Sequence, residues 1–291
     1  HTERTRPYPA DIGANLKDKM YSGIYHGKKK HQPDIDRVLK RAFTGTPTSP
    51  GLEHVIITTC DLKSAQKNLA LHKQFQEAYP EKLSLTIGVH PTQCNAFDTY
   101  PKGPEAYMTA LHDFAIQNKE HITAYGEFGL DYDRLFFCPK ETQLKYFEQQ
   151  FDLVKELDLP LFLHCRAAEE DFTQILAKHR SSFKHGVVHS FTGSMEEMQR
   201  YVDMGLYIGV NGCSLKTPEN CAVVKAIPLD RLMLETDAPW CEIRTTHASF
   251  QHVKTKFKSM KPEDHHENAT VRGRNEPHLM IQVLEAVSGL R

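Results

Sequence analysis

The sequence predicts a single (β/α)₈ barrel of the TIM type over residues 10–291, an α/β fold, on three observations. Eight short apolar runs rich in strand-forming residues recur at fairly even intervals. Segments of helical length separate them. Ionisable residues interrupt several of the runs near their carboxyl ends, the edge on which such barrels build their active sites. An open doubly wound sheet is the competing arrangement, but no G-x-G-x-x-G follows an early strand.

The strands are expected in Ala10–Leu16, His54–Cys60, Leu83–His90, Ile122–Leu130, Leu159–Cys165, Gly186–Phe191, Leu206–Gly212 and Leu232–Asp237. Runs such as Leu159-Pro-Leu-Phe-Leu-His and Leu232-Met-Leu-Glu-Thr-Asp are almost continuously apolar, as parallel strands covered on both faces must be. The clearest helix is Glu141–Leu157, where Leu144, Phe147, Phe151 and Val154 share one face. Pro139 is placed to open it and Pro160 to begin the next strand. Gly45–Gly51 reads as a surface loop from its turn residues. Arg244–Arg274 is charged, His-rich and weakly periodic; since it follows strand eight, it is expected to fold over the barrel mouth. Glu276–Leu290 reads as a closing helix.

Composition narrows the functional classes. The 291 residues carry 36 basic and 37 acidic side chains, a net charge of −1, so nucleic-acid affinity must come from a local patch and not from a global field. No run approaches the roughly 18 apolar residues that span a bilayer, and His1–Pro9 is polar and charged, unlike a signal peptide. The expectation is a soluble intracellular protein, cytoplasmic or nuclear, with no membrane partner. Seven scattered cysteines, never in C-x-x-C, read as reduced thiols.

The chemistry lies in a positional pattern. His90 ends strand three, Glu127 lies in strand four, and His164, His189 and Asp237 end strands five, six and eight. Parallel strands bring these ends together, and imidazoles with carboxylates form a mixed N/O set suited to zinc, manganese, iron or magnesium. Leaving so many ionisable groups beside apolar strands costs several kcal/mol unless they pair or bind metal.

Gly88-Val-His-Pro91, Gly126-Glu-Phe-Gly-Leu-Asp131, Leu163-His-Cys-Arg166, Val188-His-Ser-Phe-Thr-Gly193, Leu234-Glu-Thr-Asp-Ala-Pro239 and Asn275-Glu-Pro277 stand in this order. The chain thereby resembles the TatD family of metal-dependent deoxyribonucleases, from Asp11 onward. The resemblance implies metal ligands at Glu127, His164, His189 and Asp237, and a pocket histidine near the scissile phosphate at His90. It implies 3′-to-5′ exonuclease activity on DNA with one or two divalent ions, Mg²⁺ in function with Zn²⁺ or Mn²⁺ as alternatives. DNA ends are the implied partner, with other DNA-degrading nucleases as a candidate second class and repair or DNA fragmentation as the setting.

One departure matters. Many relatives place His-x-His at the end of strand one, whereas Gly13 and Asn15 stand there in Asp11-Ile-Gly-Ala-Asn-Leu16. The resemblance is to the branch sharing that asparagine, which implies retained nuclease activity. Asn15 can meet a water or a hard cation through its carbonyl but cannot replace an imidazole for zinc. The expected site is therefore asymmetric, with one ion held by Glu127, His164, His189 or Asp237 and a second completed by substrate phosphate.

The remaining roles follow from placement. The metal would lower the pKa of a bound water, and Asp237 is the expected residue to orient or deprotonate it. Glu127 would bridge two ions about 3.5–4 Å apart, and Glu235, on the same strand face as Asp237, points inward as a supporting carboxylate or a ligand. Catalytic candidates are thus Asp237, Glu127 and His90. Substrate contacts are expected from Asn15, His90, Arg166 and Lys216, less from Lys28, Lys29, Lys30, Arg244, Lys254, Lys256 and Lys258. Trp240 could stack on a base, but packing is the plainer reading. Two other classes fit the scaffold: a small-molecule amidohydrolase, which commonly adds the strand-one His-x-His and a carboxylated lysine where Glu127 stands, and a non-catalytic nucleic-acid-binding protein.

Overall fold

The computed structural model describes residues 9–45, 49–266 and 269–291. Most of the charged start and part of the 45–51 turn stretch lie outside the described residues. Eight parallel strands follow one another in a single sheet: β1 (Ala10–Ala14), β2 (His54–Ile57), β3 (Leu83–Ile87), β4 (Ile122–Asp131), β5 (Leu161–Arg166), β6 (Gly186–Val188), β7 (Tyr207–Val210) and β8 (Leu232–Leu234). Each expected run holds one strand. Six strands stop short of their run, because the last residues bend out on to the rim; β4 and β5 run one residue further. The sheet closes into a barrel through main-chain bonds between β1 and the segment after β8. Asp237 donates to the Gly13 carbonyl at 2.9 Å and Asn15 to that of Ala238 at 2.6 Å. Closure thus sets Asn15 beside Asp237.

Helices cover the outside: α1 (Ile35–Thr44), α2 (Leu62–Phe75), α3 (Asn95–Thr99), α4 (Gly103–Gln117), α5 (Lys140–Leu157), α6 (Glu169–Lys178), α7 (Met195–Asp203), α8 (Pro218–Ala226) and α9 (Met280–Leu290). Capping boxes start α2 (Asp61 with Ser64) and α7 (Ser194 with Glu197). Pro139 caps α5, and Phe147, Phe151 and Val154 are buried on its inner face, as the spacing predicts. Each such side chain contributes about 1.5–3 kcal/mol by leaving water.

The same face of α5 buries two glutamines, and these reach the rim. Gln143 accepts from the Asp131 N–H at 2.8 Å and donates to its carbonyl at 3.0 Å. Gln150 accepts from the Val89 N–H at 2.9 Å, one residue before His90. A buried main-chain group needs a partner, so these amides fix where β4 ends and where the His90 turn begins.

The stretch 244–274, expected over the barrel mouth, is anchored on the loops that follow β7 and β1 and on α9. Ala248 donates to the Lys216 carbonyl, Lys254 and Thr255 donate to Glu285 of α9, and Arg274 binds Asp34 before α1. These short polar anchors tie the rim loops after β7 and β1 to α9, and periodicity does not register them. Among the described residues no helix is long and apolar enough to cross a membrane.

Candidate metal and active site

The centre is built on an irregularity in β4. Gly126 pairs with Phe162 and Phe128 with Leu163, leaving Glu127 unmatched in β5. A bulge of this kind re-aims a side chain. The Glu127 N–H donates instead to the Thr59 carbonyl just beyond β2, at 3.0 Å. Gly126 permits this crossing, since a Cβ there would lie 2.1 Å from the Phe162 carbonyl oxygen.

Glu127 is turned into a ring of histidines. Its Oε1 lies 2.7 Å from His189 Nε2, 2.8 Å from His164 Nδ1 and 3.4 Å from His90 Nε2, with all four residues buried. Two further carboxylates stand behind the imidazoles. Asp131 Oδ2 is 3.1 Å from His164 Nε2, and Glu235 Oε1 is 3.5 Å from His189 Nδ1. Glu235 is held by the Ser190 N–H at 2.6 Å and the Asn211 amide at 2.9 Å. Outer carboxylates that fix ring orientation are the usual support of metal-bound histidines.

Asp237 occupies the other side of the mouth. The Asn15 amide donates to its Oδ1 at 2.9 Å, while the Asn15 carbonyl oxygen accepts from the Thr58 hydroxyl at 2.7 Å. Asn15 thus orients Asp237, and its carbonyl is taken by Thr58. Behind it, buried Asp11 accepts from the Thr236 N–H at 2.9 Å and the Thr236 hydroxyl at 2.5 Å, pinning the residue before Asp237.

Burial dominates the electrostatics, with charge opposing it. Burial works to raise the Glu127 carboxyl, yet the charges of His189 and His90 and the hydrogen bonds from His164 and His189 hold it well below the ordinary range. Burial likewise lowers His189, but Glu127 and Glu235 outweigh it and lift the ring well above its ordinary value. Burial lowers His90, against the pull of Glu127. Asp237 is pushed up to about 6 by burial, with His189 opposing and Glu235 and Glu127 adding to the rise.

This donor set fits a divalent cation. Ligand atoms of His90, Glu127 and His164 all lie within 4.8 Å of one another, and His189 closes on the same carboxylate oxygen. Buried Asp131 Oδ1 and Glu235 Oε2 have no hydrogen-bond partner, which leaves acceptor lone pairs open beside the imidazoles. A second grouping, His31, Asp34 and His265, is spoken for: Arg274 holds both Asp34 oxygens at 2.7 Å.

The structure brings together Glu127, His164 and His189, three of the four expected ligands, and places His90, read as a substrate-side histidine, against the same carboxylate. Among the described residues no hydrogen bond joins Asp237 to this knot, and the charges of His189 and Glu127 act on it. Arg166 sits 3.6 Å from Asp131 and Lys216 is exposed after β7; the charges of both act on Cys213 at the mouth. Trp240 is 48% exposed, so about half of its surface stays open on the rim. Sequence reading assigned no role to Asp131, although it shares a strand face with Glu127 by the period of two. It also passed over Phe136 and Phe137 in the loop after β4, 78% and 55% exposed, where large apolar side chains have no folding reason to be.

The barrel and its histidine–carboxylate centre at the carboxyl ends of the strands define a (β/α)₈ hydrolase of metal-site type. The family model described as TatD related DNase matches residues 10–291. The chain is 46% identical to "Deoxyribonuclease Tat-D" of Schizosaccharomyces pombe over 286 residues, covering 97% of this chain and 88% of that protein. It is 30% identical to the "3'-5' ssDNA/RNA exonuclease TatD" of Salmonella typhimurium, covering 96% and 89%. The crystal structure of a TatD family hydrolase from Entamoeba histolytica superposes with a TM-score of 0.90 at 39% identity, covering 98% of this chain and 91% of that one. The chain belongs to the TatD-related DNase family and is an enzyme, as its motifs implied.

Proposed function

We propose that this protein is a divalent-metal-dependent deoxyribonuclease that releases nucleotides from the 3′ ends of single-stranded DNA. The observation that carries the reading is the convergence of three imidazoles on one oxygen of Glu127 at the barrel mouth, backed by Asp131 and Glu235. Glu127, His164, His189 and His90 would hold the ion, with Asp237 facing any second one. When bound, such an ion polarises the phosphoryl oxygens and makes water a usable nucleophile near neutral pH. Asp237 takes the proton: a carboxyl raised to about 6 is matched to accept it at physiological pH. The Asn15 amide holds Asp237 Oδ1 and so orients the carboxylate that accepts the proton. The 3′-to-5′ direction rests on the name of the Salmonella relative.

The assay is 3′- or 5′-labelled single-stranded DNA with Mg²⁺ or Mn²⁺. The expected result is stepwise release from the 3′ end, halted by EDTA. Internal cuts or 5′ release would overturn the polarity, and no release with any divalent ion would overturn the nuclease reading.

Substrate grip belongs to the exposed rim. Phe136 and Phe137 have ring centroids 4.3 Å apart, and Arg134 and Arg166 flank Asp131 on the same side. Stacking a base on an aromatic ring contributes about 1–3 kcal/mol. Phe136→Ala is expected to raise KM for single-stranded DNA by about tenfold with kcat little changed, the mark of lost uniform binding. Lys216→Ala is expected to reduce the salt slope of binding by about one. Steady-state kinetics on an oligonucleotide at several salt concentrations reads both, and an unchanged KM removes the aromatic pair from the substrate path.

A further inference from the structure

Two of the seven cysteines meet at the mouth, although 28 residues separate them. Cys213 follows β7 and Cys241 follows β8. Their sulfurs are 2.8 Å apart, inside ordinary contact for unbonded sulfur, with the Cys213 S–H directed at Cys241. The Cys241 S–H points to Asp237 Oδ2 at 3.5 Å. Backbone packing sets the meeting: a Cβ on Gly212 would lie 2.0 Å from the Cys241 carbonyl oxygen, so only glycine lets the two loops close. Cys241 and Asp237 both take left-handed backbone, with φ of 55° and 52°. Both thiols are half-buried, unlike Cys94, Cys138 and Cys221, which are buried.

We propose that Cys213 and Cys241 are an oxidation site, forming a reversible disulfide under peroxide that weakens metal binding at the Asp237 side of the centre. One thiol is oxidised by hydrogen peroxide to the sulfenic acid with release of water. The other sulfur then attacks it, forming the S–S bond and releasing a second water. Two thiol hydrogens are lost, each sulfur gives up one electron, and the peroxide takes both. No large loop movement is needed, because the atoms to be joined already touch. Oxidation removes the S–H donor from Asp237 Oδ2 and draws the β7 and β8 loops together, leaving the carboxylate held by Asn15 alone. Losing an outer partner of a metal-site group commonly costs 10–100-fold in affinity or activity.

The proposal rests on the metal-centre reading for its consequence but not for the bond, and the test separates the two. Metal-loaded protein is titrated with hydrogen peroxide, alkylated, digested without reduction and analysed by mass spectrometry, while Mn²⁺ affinity and DNA cleavage are followed in parallel. The expected result is a Cys213–Cys241 linked peptide appearing before Cys60 or Cys165 reacts. Mn²⁺ binding should weaken about tenfold, with full recovery in dithiothreitol. Cys213→Ser should keep the reduced-state activity and lose the response to peroxide, and Cys213→Ala should repeat this if the serine variant folds poorly. Oxidation of Cys60 or Cys165 without the linkage would overturn the proposal, as would a linkage that leaves Mn²⁺ affinity unchanged. If the reduced protein cleaves no DNA, the nuclease reading fails, and the linkage and Mn²⁺ measurements still decide this one.

Discussion

Glu127→Ala is expected to lower kcat/KM on single-stranded DNA by about a thousandfold, and Glu127→Gln by nearly as much. Glu127 offers one oxygen to three imidazole nitrogens between 2.7 and 3.4 Å, so no neighbouring side chain can take over its role. A metal's stabilisation of transition-state charge is worth several kcal/mol, and each 1.36 kcal/mol is a factor of ten in rate, so losing the shared ligand costs several decades. The glutamine variant separates charge from shape: it keeps the bulge and the volume but removes the negative charge on which His189 depends. Asp237→Ala is expected to fall less far, because Asp237 lies outside the histidine knot. Manganese titration of the wild type should give one tight and one weak site, with the tight one missing in Glu127→Ala. A variant that retains both the tight site and the wild-type rate would remove Glu127 from the centre. Melting temperature serves as the control that the variants fold.

The difference between Glu127 and Asp237 shows how far the sequence alone could be read. Runs of apolar residues marked the eight strands because parallel strands buried on both faces admit little else. The ionisable residues near their carboxyl ends stood out against that background, and barrel geometry told which edge they share. Side-chain partnership was not legible in the same way. That the Asn15 carbonyl turns to Thr58 depends on a contact 43 residues away, and that Asp131 backs His164 depends on the register of β4 against β5. Gln143 and Gln150 look like solvent-facing helix positions until the strand ends they satisfy are known. Phe136 and Phe137 carry no periodic signal, since a loop has no face.

The largest loss of stability is expected from Arg274→Ala, far from the histidines. Arg274 is fully buried and donates to both oxygens of Asp34 at 2.7 Å and to Glu276 at 2.8 Å; Arg41 holds Glu276 from the other side at 2.9 Å. Removing one member of a buried charge network leaves the others uncompensated, at a cost of about 3–5 kcal/mol. For a chain of this size that lowers the melting temperature by about 10 °C. Arg274→Lys should recover little, because an ammonium cannot reproduce the two-pronged contact. The pH dependence gives an independent check. Burial raises the Glu276 carboxyl, but His278, Arg41 and Arg274 more than offset this and hold it at about 2, below the usual 4.5. A depressed carboxyl contributes stability that is present above its unfolded pKa and lost as pH falls through the folded one. Taking away Arg274 raises the folded value, so the gap between wild type and variant should be widest above pH 4.5 and narrow toward pH 2. Denaturant melts across that window measure it, and a gap independent of pH would mean that packing of the guanidinium, not its charge, holds the segment. Catalysis should follow stability here: the neighbouring Asn275 donates to the carbonyls of Thr236 and Trp240, so the network that buries Arg274 also fixes the turn carrying Asp237.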